Sequence, residues 1–105
     1  MYLFDKSVPP RSIEINATQL IARGPCLVVE VTGAGVGVAG IGILYNGDNI
    51  LSERKATLQV PANITITRCN VYGMLFERGI FATIDVATMF LTIAYYPGVE
   101  ETVAE

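Results

Sequence analysis

The run Gly35-Val36-Gly37-Val38-Ala39-Gly40 has the Gly-x-Gly-x-x-Gly spacing that can cradle a pyrophosphate, and it directly follows a β-branched stretch at Leu27 to Val31. That chemistry needs a helix opening at the last glycine, so that backbone N–H groups and the helix dipole face the phosphates. No helical pattern follows. Gly40-Ile41-Gly42-Ile43-Leu44-Tyr45 leads straight to Asn46-Gly47, a pair that tolerates the positive φ of tight hairpin turns. Glu53 stands at a distance suited to a ribose contact, but a lone acid without the helix defines no site. The spacing predicts a glycine-rich reversal between strands, with close strand approach, in place of a nucleotide loop.

Other reactive groups are sparse. The chain has no His and no Trp, which removes Ser-His-Asp and Cys-His catalysis and every His-dependent metal site. Glu14, Glu30, Asp48, Glu53, Glu77 and Asp85 could pair as glycosidase carboxylates, yet none lies in a motif, and each reads as a strand or turn residue facing solvent. Cys26 and Cys69 sit in apolar, strand-like surroundings that suit free, buried thiols, while a bridge between them stays open. Asn16-Ala17-Thr18 and Asn63-Ile64-Thr65 match the glycosylation pattern, but the start of the chain lacks the basic head and long apolar centre of a signal peptide. The expectation is a chain that is not an enzyme, with no catalytic residue, metal or cofactor.

The composition bounds the rest. At 105 residues the chain is long enough for one domain with its own core. Half of it is apolar (51%) and only 16% is charged, against about 25% charged in an average soluble domain. So little polar surface favours a subunit covered by neighbours, because large apolar patches usually mark interfaces. The net charge of −3 is carried by Glu100, Glu101 and Glu105, which leaves the body close to neutral. Arg23, Arg54, Lys55, Arg68 and Arg78 are scattered, so no basic block exists for nucleic acid. Cys26 to Tyr45 is long and apolar enough to imitate a membrane span, but its glycines, its Val/Ile alternation and Glu30 point to strands.

The elements that would position these residues are short strands. Residues 1–12 read as an extended arm, because Pro9-Pro10 forbids helix and eleven extended residues reach roughly 35 Å. Tyr2, Leu3, Phe4, Pro9 and Pro10 make that arm the candidate interface. Residues 13–98 form the domain, and 99–105 an acidic tail. Strands are expected at Ser12–Ile15, Cys26–Thr32, into Tyr45, Ala56–Val60, Ile64–Thr67, Met74–Glu77, Gly79–Asp85 and Met89–Tyr96. Asn16–Arg23 is ambiguous, and Gly33-Ala34-Gly35 and Asn70–Gly73 read as turns. Alternation nominates Ile41, Ile43, Tyr45, Leu58, Val60, Ile64, Ile66, Leu91 and Ile93 as core. About seven or eight short antiparallel strands make an all-β sandwich or jelly-roll-like barrel.

Four segments in order, Ile43-Leu44-Tyr45-Asn46-Gly47, Leu58-Gln59-Val60-Pro61-Ala62-Asn63, Phe76-Glu77-Arg78-Gly79-Ile80-Phe81 and Thr92-Ile93-Ala94-Tyr95-Tyr96-Pro97, resemble small β-sandwich virion proteins of tailed bacteriophages. The likeness spans Cys26 to Pro97. It implies a non-enzymatic capsid cement or decoration protein in the virion, assembled in the host cytoplasm. It also implies a homo-oligomer, with a trimer as the expectation, whose partner is the major capsid protein or another virion subunit. A tail, neck or fibre-attachment subunit would share this composition. A carbohydrate-binding module would instead display Tyr72, Tyr95 or Tyr96 around a shallow groove.

Overall fold

The structure, a computed structural model, describes residues 2–4, 7, 9–86 and 88–100. Among them the strands are β1 (Tyr2–Leu3), β2 (Arg11–Ile15), β3 (Gln19–Arg23), β4 (Cys26–Gly35), β5 (Gly40–Asn46), β6 (Glu53–Val60), β7 (Thr65–Phe76), β8 (Gly79–Ile84), β9 (Met89–Pro97) and β10 (Val99–Glu100). Eight of these build two four-stranded antiparallel sheets, ordered β2-β9-β4-β7 and β3-β8-β5-β6. The architecture is the expected all-β sandwich.

The strand order says more. β2 pairs with β9, β3 with β8, β4 with β7 and β5 with β6. An antiparallel ribbon of four such pairs, rolled so that alternate pairs fall in opposite sheets, is the jelly roll. Because both sheets are antiparallel and only their inner faces meet, each strand should alternate between core and outer residues. β9 obeys this cleanly: Met89, Leu91 and Ile93 are fully buried and Tyr95 nearly so. Burying each of those aliphatic side chains contributes about 1.5–3 kcal/mol.

β5 has the opposite phase from the expected one. Gly40, Gly42 and Leu44 face the core, whereas Ile41 is exposed and Ile43 half-buried on the outer face. The cause is crowding from the facing sheet. A Cβ on Gly42 would lie 2.7 Å from Leu91 Cδ1 and 3.0 Å from Met89 Cε. The large side chains of β9 thus fill the space that an isoleucine of β5 would need. Gly33 is close-packed in the same way against Leu58 and Val60, so β4 continues to Gly35 where the sequence predicts a turn. Ile64 is half-exposed because it precedes β7 in the turn, where its N–H donates to the Pro61 carbonyl at 3.3 Å. Leu58, Val60, Leu91 and Ile93 are core, and Ile66 packs partly buried against it.

Of the remaining elements, one was open in the sequence and two differ from expectation. The ambiguous Asn16–Arg23 stretch contributes β3. The chain reverses after β5 through residues 47–52 in place of a two-residue Asn-Gly turn, and Asn46 itself stays in the strand, paired with Glu53 and Ile80. Residues 70–73 are an irregularity within one long β7, between the pairs Glu30–Cys69 and Val28–Met74. The arm folds back on its own chain at both ends: Tyr2–Leu3 pair with Val99–Glu100, and Ser12 already belongs to β2.

Candidate functional site

The glycine-rich run holds no phosphate cradle. Gly35 ends β4, residues 36–39 form the loop, and Gly40 opens β5. The loop is tied by a hydrogen bond from the Gly37 N–H to Asn63 Oδ1 at 2.9 Å, which gives the second glycosylation-like triplet a structural part. Thr18 of the first triplet accepts the Ile84 N–H at 3.2 Å. Several carboxylates are likewise spent on turns: Asp85 Oδ1 accepts the Ile41 N–H at 2.7 Å, Asp48 accepts from Asn49, and Glu53 accepts from Asn46. No group of three or more metal-ligating side chains occurs among the described residues. The Cys26–Tyr45 stretch is two strands, and no helix among the described residues is long and apolar enough to cross a membrane.

Cys26 is a free, buried thiol that donates to the Gly24 carbonyl at 3.6 Å. Loss of hydration on burial pushes its pKa up to about 11, against a smaller opposing pull from Arg11. A folded-state pKa above the unfolded value favours the protonated native form. The stability Cys26 lends is therefore complete below about pH 9 and is lost as pH rises toward 11. In a Cys69→Ser chain, Cys26 should react with a disulfide reagent at pH 8 far more slowly than in the urea-unfolded chain. Equal rates would show an accessible thiolate.

The sequence blocks around Asn46 and Gly79 meet in space, because β5 lies beside β8. Asn46 Oδ1 accepts the Arg78 N–H at 2.8 Å, the Gly79 carbonyl accepts the Gly47 N–H at 3.2 Å, and the Arg78 carbonyl accepts the Gly24 N–H at 3.2 Å. These bonds lock one end of the sandwich. From it the 47–52 loop projects Ile50 and Leu51, which are 61% and 91% exposed. Asn49 holds that tip in place, its Oδ1 accepting the Leu51 N–H at 2.8 Å.

The two outer sheet faces differ in chemistry. Across β2-β9-β4-β7 runs the row Glu14–Thr92–Thr32–Thr67, with the Thr32 and Thr67 hydroxyls 3.1 Å apart. Across β3-β8-β5-β6 runs Leu20–Phe81–Tyr45–Arg54, flanked by Ile43 between Thr57 and Thr83, and by Ile41 beside Gln59. Tyr45 is buried without joining the central core. Its ring is tilted against Phe81 at 6.3 Å, and the Arg54 guanidinium lies 6.0 Å from its centroid. The face leads from Ile41 to the 36–39 loop, whose Val36 and Val38 are also exposed, and Gly35 of the same turn bonds the Ile64 carbonyl. An outer face of an antiparallel sandwich should be polar; this one carries an apolar stripe.

The arm residues lie elsewhere. Phe4 is half-buried with its ring against Gly98, Pro9 is exposed and Pro10 half-buried. The side chains of Tyr2 and Leu3 lie outside the described residues, as do the Tyr72 ring and tail residues 101–105. Tyr95 belongs to the core and cannot serve a sugar platform, whereas Tyr96 is half-buried on the outer side. The stripe was missed in the sequence because Ile41, Ile43 and Tyr45 have the period of a core strand; only the glycines between them carry the signal for the other phase. No family model, curated protein or solved structure matches the chain.

Proposed function

We propose that this chain is a non-enzymatic structural subunit of a tailed-bacteriophage particle, a cement or decoration protein that joins capsid subunits through apolar contacts. The apolar stripe of half-buried Leu20, Phe81 and Ile43 with exposed Ile41, set around the buried Tyr45, is the observation that carries the reading. A stable interface buries about 800 Å² on each partner, and each Å² of apolar surface removed from water contributes about 25 cal/mol. Many identical sites on a lattice then add through multivalency. The jelly-roll order agrees with this reading, since capsid proteins use that fold, although lectins and cupins do too. The subunit is proposed to be a trimer, with the exposed loops carrying Val36, Val38 and Ile64 at one end and Ile50 and Leu51 at the other as further contacts.

Cryo-electron microscopy of particles purified from a lysate containing the chain tests this. The expected image has copies on the head lattice with the β3-β8-β5-β6 face against neighbours. Copies confined to the tail would reassign the protein to a tail or neck subunit, and particles lacking the chain would overturn the reading.

A further inference from the structure

Between the sheets, where edge strands β6 and β7 come together, lies a cavity of about 350 Å³. Its walls are apolar and come from both sheets: Val28, Val31, Leu44, Leu58 and Leu91. The space is partly open to solvent, and its volume reaches the range of ligand pockets, which begin at about 300 Å³. The mouth is different. Lys55, half-buried on β6, and Arg68, exposed on β7, stand there with one carboxylate, Glu30, which also accepts the Thr32 hydroxyl at 3.3 Å.

Two β-bulges shape this place. In β5–β6, Leu44 pairs with Ala56 and Tyr45 with Arg54, so Lys55 is the extra residue. In β4–β9, Val28 pairs with Tyr95 and Glu30 with Ala94, so Val29 is the extra residue. Both extra residues line the cavity, one from each sheet. Bulges re-aim side chains and concentrate beside functional sites. Here one of them places a cation at the opening of an apolar chamber.

We infer that this cavity binds a single-chain amphiphile with an anionic head, such as a medium-chain fatty acid. The alkyl chain lies between the sheets, and the carboxylate meets Lys55 and Arg68 at the mouth. The site is independent of whether the subunit sits on a capsid.

Calorimetric titration of the full chain with decanoate, decyltrimethylammonium and decanol tests the inference, since the three share a tail and differ in head. Decanoate should bind best and the cation worst. The Lys55→Glu/Arg68→Glu chain, altered only at the mouth, should bind decanoate at least about tenfold more weakly, the loss expected for charge-assisted contacts. Ala56→Phe, which puts a ring into the cavity wall, should abolish uptake of decanoate and decanol alike. Equal binding of all three probes, no binding of decanoate, or unchanged binding in the mouth variant would overturn the site. Adsorption to anionic vesicles with no uptake of free decanoate would assign the cations to a membrane surface and also overturn it.

Discussion

Leu44→Asp should leave the chain unfolded, whereas Ile43→Asp, one residue earlier on the same strand, should still fold, losing subunit contacts but not the core. Leu44 is 2% exposed and belongs to the central core beside Ala82 and Ala56. The side chain packs among apolar neighbours, so a carboxylate there gives up those contacts and takes a charge out of water, which costs several kcal/mol. That is comparable with the whole stability of a domain, about 5–15 kcal/mol. Ile43 lies on the outer face between Thr57 and Thr83. An aspartate at that position keeps access to water and should cost about 1 kcal/mol, the ordinary range for a partly exposed position. Circular dichroism across a urea titration of both chains decides it. Unfolding of Ile43→Asp alone would mean that β5 has the opposite phase, and unfolding of both that its outer face is buried as well.

Gly79→Ala, a single added methyl, should lower stability by about 3 kcal/mol or more. Gly79 has φ of +130°, where a side chain is strained, and a Cβ there would run into the Ala22 carbonyl oxygen of β3. Backbone strain of this kind costs about 1–3 kcal/mol, and forcing extra volume into a packed site a further 1–3 kcal/mol. The neighbour is backbone in a paired strand, so it cannot swing away. Gly24→Ala is the control: φ is +78° but nothing lies within 4 Å of the added carbon. Its cost is the left-handed backbone alone, about 1–2 kcal/mol. A thermal-unfolding comparison in which Gly24→Ala lost as much as Gly79→Ala would rule out the close approach of β8 to β3.

The fold class was legible in the sequence because turn residues recur at short spacing and no segment sustains a helical period. β9 was legible in detail, since a strand buried on one face alternates without interruption from Met89 to Tyr95. β5 was not. Gly40 and Gly42 carry no hydrophobicity, so periodicity assigned the core to Ile41 and Ile43; only the bulk of Met89 and Leu91 across the sheets explains the reversal. The long β7 was divided because Asn70 and Gly73 have turn chemistry, which the ladder with β4 absorbs as an irregularity. Surface features fared worse still. Lys55 and Arg68 look like scattered solvated cations until the bulge and the folding of β7 bring them to one opening. Low charge content raised the expectation of an interface, but nothing in the sequence pointed to the β3-β8-β5-β6 face proposed for it.

That face is the centre of the account, and sedimentation velocity tests it most directly. The parent chain is predicted to sediment as a trimer, and Ile43→Glu/Phe81→Glu as a monomer whose circular dichroism spectrum is unchanged. A parent chain that stays monomeric, or a double variant that still assembles as the parent does, would contradict it.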